Sequence, residues 1–365
     1  MEHIFALGVT CIENIQYWFD GWDGYMEFMN NLSNPYFVFD MVFPLVAAVD
    51  SVFASQLVLC LAFGGWLNGI MKWCILEDRP YWWVHETSFY DNTHRPLLRQ
   101  TLQSCETGPG NPSGHSFTAA SVLILIVMWI SHVFNDRKWQ VLWWKQVVYP
   151  LFGALLGSVM LARLFVATHF PHQCLAGAIM GLLLAPALCI YVTDPFIWRY
   201  GWHRDNDPAA LTLREGTAWH MAASVIAGIL SIIVYAVLQL CGIEPNATVI
   251  LAHRWCVHTE TIRLSTTPLF ALVQCAGNML GWAVGCTPAV SQYRHYTKNR
   301  SLVLAFFVTA VSMFLLKKVD EKIELFTGMT YYTLIYLINV IKPALFLRVV
   351  PKVAMWPYTR KSKRD

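Results

Sequence analysis

The chain is short of charge. Only 13% of its 365 residues are Asp, Glu, Lys or Arg and 56% are hydrophobic, whereas an ordinary soluble domain carries about a quarter charged. That balance excludes a disordered chain, and a net charge of only +3 without a charge-dense arm before the last residues argues against a nucleic-acid partner. The first twenty residues hold no Lys or Arg and no small-residue cleavage site, so they do not read as a cleaved signal peptide. The ten cysteines form no CxxC pair. Several, such as Cys60, Cys189 and Cys275, lie inside apolar runs as small buried hydrophobes, which leaves neither a zinc site nor a disulfide framework. Cys105, Cys241 and Cys256 fall between such runs, where one bridge is compatible with an oxidising side. Repeats of fixed period and low-complexity tracts are absent.

What the chain has instead is apolar stretches of about 18 to 25 residues in succession, each long enough to cross a hydrocarbon core about 30 Å thick. The pattern predicts an all-α polytopic membrane protein with about nine helices, near 25–49, 56–75, 115–135, 147–167, 174–194, 217–240, 267–289, 301–316 and 326–348. The whole chain, 1–365, reads as one integral membrane domain, with a catalytic core near 56–194 and a C-terminal tail from about 349. An odd number of crossings puts the termini on opposite sides. One set of loops and the tail carries fifteen basic residues, among them Arg137, Lys138, Lys145, Arg199, Arg204, Arg214, Arg294, Lys298, Arg300, Arg348 and Lys352, against ten on the other. The positive-inside bias makes the richer side cytosolic, so the C-terminus is cytosolic and the long loop 76–114 lumenal.

Three blocks concentrate charge or histidine at membrane boundaries. Lys72 is followed after six residues by Arg79-Pro80; Asn111-Pro112-Ser113-Gly114-His115 opens the third helix; Arg163 is followed after five residues by His169-Phe170-Pro171-His172. The first ends helix two, the second begins helix three and the third ends helix four, so all reach the same, lumenal, face. Such a gathering of three cations and two histidines suits a phosphate. Arg79 and Arg163 offer planar forks for pairs of phosphate oxygens, and Lys72 a compact charge. Pro112, Ser113 and Gly114 leave free N–H groups and a hydroxyl at a helix start, where the dipole favours an anion. One histidine can attack phosphorus as a neutral imidazole while the other protonates the leaving alkoxide. Six residues of unbroken helix turn about 600°, so Arg163 and His169 would face about 120° apart unless the helix loosens, which Pro171 is expected to cause. His169 and His172 at three-residue spacing lack an accompanying carboxylate or thiolate, so no metal is expected. Trp73, Trp82 and Trp83 read as an aromatic belt rather than as a platform for a sugar.

Lys72-x6-Arg79-Pro80, Pro112-Ser113-Gly114-His115 and Arg163-x5-His169 together resemble the three-part signature of the type 2 phosphatidic acid phosphatase and vanadium haloperoxidase superfamily. Within it the chain looks like the glucose-6-phosphatase catalytic subunit family, through Trp66-Leu67-Asn68, Arg79 to Val84, Cys105 to Gly110, His169 to Gln173, Arg254-Trp255-Cys256 and Thr266-Thr267-Pro268. The similarity runs from about residue 40 to 290. It implies a metal-independent hydrolysis of glucose 6-phosphate, the last step of gluconeogenesis and glycogenolysis, without a cofactor. It further implies His169 as the nucleophile, His115 as the acid, and Lys72, Arg79, Ser113, Gly114 and Arg163 as the phosphate holders. Residence in the endoplasmic reticulum membrane, among its lipids, follows from the same resemblance, as does a lumenal site; a separate glucose-6-phosphate transporter would then have to deliver the substrate. Glu106 and Asn34 are candidates for holding the sugar. The chain departs from the family at Ala162, where a serine is usual, and at Asn92-Thr93-His94, which is no glycosylation sequon. Asn31 and Asn246 keep lumenal sequons and Asn299 a cytosolic one. Lys361 and Lys363 resemble a cytosolic dilysine retrieval signal.

Overall fold

A computed structural model describes residues 1–91, 93–136, 143–199, 213–286, 290 and 300–361. The loop cations Arg137, Lys138, Arg204, Arg294 and Lys298, together with Asn92, Asn299, Lys363 and Arg364, lie outside the described residues. Among the described residues the chain consists of helices and connecting turns, with no strand. Eight helical segments among the described residues are long and apolar enough to cross a bilayer, and the bent pair Asp23–Leu32 with Pro35–Val49, which turns through 53°, brings the number to nine when it is counted as one span. This is the all-α polytopic class that the sequence predicts.

The helices are α1 (Glu2–Trp18), α2 (Asp23–Leu32), α3 (Phe43–Val49), α4 (Ser51–Ile75), α5 (Pro80–Glu86), α6 (Gly114–Asp136), α7 (Trp143–Phe165), α8 (Pro171–Leu188), α9 (Leu213–Leu240), α10 (Ala247–Trp255), α11 (Pro268–Gly285), α12 (Leu302–Ile323), α13 (Gly328–Ala344) and α14 (Val350–Lys361). The single helix expected over 25–49 is broken. Pro35 cannot donate a backbone hydrogen bond, so α2 stops before it and the chain restarts through a π-helical turn at Val38–Val42. Asp50 then leaves helical geometry and caps the next helix, its Oδ1 accepting from the N–H groups of Val52 (2.9 Å) and Phe53 (3.0 Å). At the far end the helix does not give way to a tail near 349, because a π turn at Leu345–Val349 carries it into α14. Helices α1, α5 and α10 have no counterpart in the sequence reading; each is shorter than a membrane span.

The chain forms two compact units. The first comprises Met1–Pro35, Leu67–Leu183 and Ser231–Ala271. In it α1 packs along α5 and α7, burying Phe5, Val9, Ile12 and Ile15. Phe5 stacks on Phe170 (centroids 4.6 Å) and meets Trp83 edge-on (5.3 Å). A Cβ at Gly8 would stand 2.6 Å from Phe170, so only glycine lets α1 lie this close. Gln16 ties α1 to the end of α7 by donating to Phe165 O (2.7 Å). Helix α8 meets the start of α6 through two glycines one turn apart: a Cβ at Gly177 would lie 2.3 Å from Ser113 O and one at Gly181 2.6 Å from Phe117 O. That contact sets the N-terminal ends of α6 and α8 side by side. Trp73, Trp82 and Trp83 are buried at 1%, 0% and 4% exposure, which corrects the aromatic-belt reading. They are core residues, and Trp82 donates to Asp78 Oδ1 (2.8 Å).

The second unit comprises Tyr36–Trp66, Leu184–Leu230 and Leu272–Asp365. Helix α12 packs on α3, α13 and α14. Lys342, on α13, lies inside this unit and donates to Asp40 (2.9 Å) and Asp320 (3.0 Å), so its charge is neutralised internally and does not belong to a loop.

Candidate active site

The site lies wholly in the first unit, at three helix ends and one loop. Helix α4 ends on Leu76, a non-glycine residue in left-handed geometry (φ 54°), whose N–H returns to Lys72 O at 3.0 Å. Helix α7 ends the same way. Ala167 is left-handed (φ 54°), its N–H bonds Leu164 O (2.9 Å), and the Thr168 N–H reaches back to Arg163 O (3.3 Å), the closure that usually recruits glycine. Lys72 and Arg163 thus hold equivalent places, four residues before a left-handed residue, in last turns whose dipole favours a cation. Non-glycine residues in this region cost on the order of 1 kcal/mol each, strain of the kind that collects at functional sites. The same geometry supplies the loosening that Arg163 and His169 require. The break falls at Ala167, four residues before Pro171, which serves as the first residue of α8.

Arg79 is 1% exposed and caps α5 in extended geometry, with Pro80 following as the first helical residue. Its Nε donates to Gly108 O (2.6 Å), Nη2 to Pro109 O (3.1 Å) and Nη1 to Thr168 O (3.1 Å), so one guanidinium fastens the 106–110 loop to the turn before His169. Lys72 Nζ shares the Pro109 carbonyl at 2.8 Å. The loop is held from outside as well. Tyr81 donates to Glu106 O (2.8 Å), Ser104 to Val166 O (2.7 Å) and Thr107 to Thr266 O (2.8 Å). A disulfide joins Cys105 to Cys256 at the end of α10. This is the bridge the three loop cysteines allowed; Cys241 stays free and exposed. Gly110 is required here, since a Cβ would lie 2.5 Å from Asp78 O.

The Glu106 carboxylate occupies the centre. Arg79 Nη1 is 2.8 Å from Oε2, and Arg163 Nη2 bonds Oε1. His115 Nδ1 is 3.4 Å from Oε1 and His169 Nε2 3.7 Å from Oε2. Arg163 also donates to Asn30, while its buried Nε has no hydrogen-bond partner among the described residues. Burial alone would raise the Glu106 carboxyl, but the Arg163 and Arg79 guanidiniums outweigh it and hold it well below the usual carboxylate range. His169 is fully buried. Burial, followed by the charge of Arg79, pushes its imidazole well below its ordinary value, so it is neutral near pH 7.

Of the residues singled out in the sequence, Lys72, Arg79, His115, Arg163 and His169 come together. Ser113 and Gly114 sit at the start of α6 beside His115. The Ser113 hydroxyl is used as the helix cap, accepting from Ser116 N–H (3.4 Å), and its N–H donates to Gln173 O (3.0 Å). Sequence reasoning missed Glu106 as the hub and offered it only as a sugar holder. The signal was a charge argument: three cations converging on a buried point need a counter-anion, and Glu106 is the carboxylate in the loop between the first and second blocks that stands beside the glycines. Gln173 and Glu77 were also missed. His172 pairs with Glu77 (2.9 Å) and stands apart from the hub; no group of three His, Cys, Asp or Glu among the described residues is placed to hold a metal ion.

A phosphate held by the same four groups has to displace the Glu106 carboxylate. Glu106→Gln is therefore expected to lower the melting temperature of the ligand-free protein, because it takes the half-buried anion from between two buried guanidiniums and leaves their charges unpaired. Orthovanadate or inorganic phosphate should restore more stability to this variant than to the wild type. A smaller stabilisation of the variant by either anion would show that the carboxylate does not compete for their place.

The PAP2 superfamily model matches residues 53–197, which contain all three blocks and Glu106. Human glucose-6-phosphatase 2 is 30% identical over 292 residues, 77% of this chain and 76% of that protein. The dog glucose-6-phosphatase catalytic subunit 1 is 29% identical over 328 residues, 88% of this chain and 85% of its own length. Mouse glucose-6-phosphatase 3 is 28% identical over 360 residues, 97% and 96% of the two chains, so the similarity extends through the last three helices, beyond the 40–290 expected. No solved structure matches. With relatives of this kind covering 77% to 97% of it, and with the buried cations and both histidines gathered in the matched region, the chain belongs to the glucose-6-phosphatase family of the PAP2 superfamily.

Proposed function

We propose that the protein hydrolyses glucose 6-phosphate to glucose and inorganic phosphate through a phosphohistidine on His169. The observation that carries this reading is the convergence of Arg79, Arg163, His115 and His169 on one anionic group, with Lys72 held beside them through Pro109. The phosphate of the substrate takes the place of the Glu106 carboxylate. Arg79 Nη1 and Arg163 Nη2 each hold one of its oxygens, as they hold the two carboxylate oxygens of Glu106, and Lys72 offsets the charge that grows on them as phosphorus is attacked. The His169 Nε2 lone pair forms the N–P bond as the P–O bond to the sugar breaks. The bonding pair leaves with the sugar oxygen, which takes a proton from His115. A water then gives a proton to His115 and attacks phosphorus, and the N–P pair returns to Nε2. Glucose and phosphate are the products, and both histidines are restored.

The basic-residue count supports a site on the side opposite the cytosol and a cytosolic C-terminus; in the endoplasmic reticulum, where the family resemblance puts the protein, that side is the lumen, and a separate transporter would bring in substrate made in the cytosol. One experiment tests both parts. Phosphate release from glucose 6-phosphate, other hexose phosphates and phosphatidic acid is compared in detergent, then repeated in sealed and permeabilised microsomes. Preference for glucose 6-phosphate is expected, as is activity on a membrane-impermeant sugar phosphate that emerges only on permeabilisation. Preference for phosphatidic acid would make the protein a lipid phosphatase. Full activity on the impermeant substrate in intact vesicles would put the site on the cytosolic face.

A further inference from the structure

Behind His169 runs a chain of hydrogen bonds that the phosphate clamp does not use. Gln173, fully buried in the first turn of α8, places Oε1 3.3 Å from His169 Nδ1 and 3.1 Å from the N of Phe170. Its Nε2 lies 3.1 Å from Glu77 Oε2 and 2.9 Å from Asp78 O. Glu77 Oε2 in turn meets His172 Nε2 at 2.9 Å, and the His172 ring is stacked beside Phe170 and Phe5.

These partners leave the amide one orientation. Phe170 N–H can only donate, while the Asp78 carbonyl and the Glu77 carboxylate accept, so a flipped amide would set donor against donor on one side and acceptor against acceptor on the other. Oε1 therefore faces His169, and Nδ1 must carry the proton it donates. The other ring nitrogen gives the same answer independently. Arg79 Nη1 stands 3.2 Å from His169 Nε2 and can only donate, so Nε2 holds the lone pair. Glu77 thus reinforces the attacking tautomer, together with Phe170 N–H and Asp78 O, without touching the imidazole.

The arrangement also puts a neutral oxygen, not a carboxylate, against Nδ1. On the proposed phosphohistidine reading, on which this inference rests, the ring gains positive charge when the N–P bond forms. A charge-assisted bond to a carboxylate at Nδ1 would stabilise that cation about twice as strongly as an amide does and make imidazole a poorer leaving group. We propose that Glu77, braced by His172, is a positioning residue acting on His169 through the Gln173 amide, and that the amide keeps the phosphohistidine short-lived by holding the negative charge one side chain away.

The test exchanges the two groups. Gln173→Glu combined with Glu77→Gln keeps one carboxylate and one amide in the chain but brings the carboxylate against Nδ1. Radioactive glucose 6-phosphate labels the enzyme, and an unlabelled chase follows loss of the label. The exchange is expected to raise steady-state label several-fold, slow its loss by about tenfold and lower KM together with kcat. Label and decay equal to the wild type would overturn the proposal. Should the double variant not fold, Glu77→Gln alone decides: about tenfold lower kcat at unchanged KM and unchanged vanadate inhibition supports it, because the Gln173 amide then loses its charge-assisted anchor and keeps only Phe170 N–H and Asp78 O while the clamp is intact, and an unchanged kcat refutes it. Wild-type protein that turns over glucose 6-phosphate but never takes up acid-labile label would overturn the phosphohistidine reading itself, and this inference with it.

Discussion

His169→Ala should show no turnover and no covalent phosphate, with kcat down by roughly 10⁴-fold or more, the scale of losing a nucleophile. The geometry gives the reason. His169 Nε2 faces the place now taken by Glu106, at 3.7 Å from its Oε2, and the ring is kept neutral by burial and by Arg79. Because its pKa is pushed down, acidification towards pH 6 does not protonate this group, and an acid limb in the activity profile near the ordinary histidine value would have to come from elsewhere. His115→Ala should behave differently. It removes the proton for the sugar oxygen, typically worth about 10²–10⁴-fold, yet leaves the N–P bond able to form with substrates whose leaving group needs no proton, such as an aryl phosphate. Label on either variant distinguishes them: it should survive alkali and be lost in acid when present on His115→Ala, and be missing from His169→Ala. Label on the second variant would assign the nucleophile elsewhere.

How much of this was legible in the sequence depended on the scale of the signal. Apolar stretches long enough to span a bilayer fixed the class and most boundaries to within a few residues, because backbone satisfaction in lipid leaves helices little alternative. Helix α1 was invisible to that criterion. It is amphipathic and too short to span, and its role is local: Phe5, Gly8 and Gln16 hold the 165–172 turn. The cationic clamp was legible because topology alone brought the three blocks together. What lay beyond reach were side chains whose importance comes from what they face. Gln173 reads as an ordinary helix residue until its amide is seen between His169 and Glu77. Glu106 reads as a loop carboxylate until both guanidiniums are found on it. The end of α7 near 167 was legible, but its loosening was ascribed to Pro171 alone, because left-handed closures announce themselves by glycine and here the residue is Ala167.

Arg79→Lys keeps the charge and is nonetheless expected to cripple the enzyme. The wild-type guanidinium does two things that an ammonium cannot do from the same position. It aims Nη1 at the anion while its other nitrogens are anchored, a preorganised donor that by analogy with an oxyanion hole is expected to contribute about 2–4 kcal/mol to the transition state, or roughly 30- to 1,000-fold in kcat. It also fills three carbonyls at once, those of Gly108, Pro109 and Thr168, which sets the distance between the loop carrying Glu106 and the turn carrying His169. A lysine satisfies at most part of that set, and each buried acceptor left unpaired costs about 1–3 kcal/mol. The variant should therefore lose thermal stability as well as rate, and its vanadate inhibition should weaken in parallel. The two losses separate the roles. A variant that keeps its melting temperature but loses rate and vanadate affinity would confine Arg79 to gripping phosphate. One that keeps full rate would remove it from the clamp and leave Arg163 as the sole guanidinium on the phosphate.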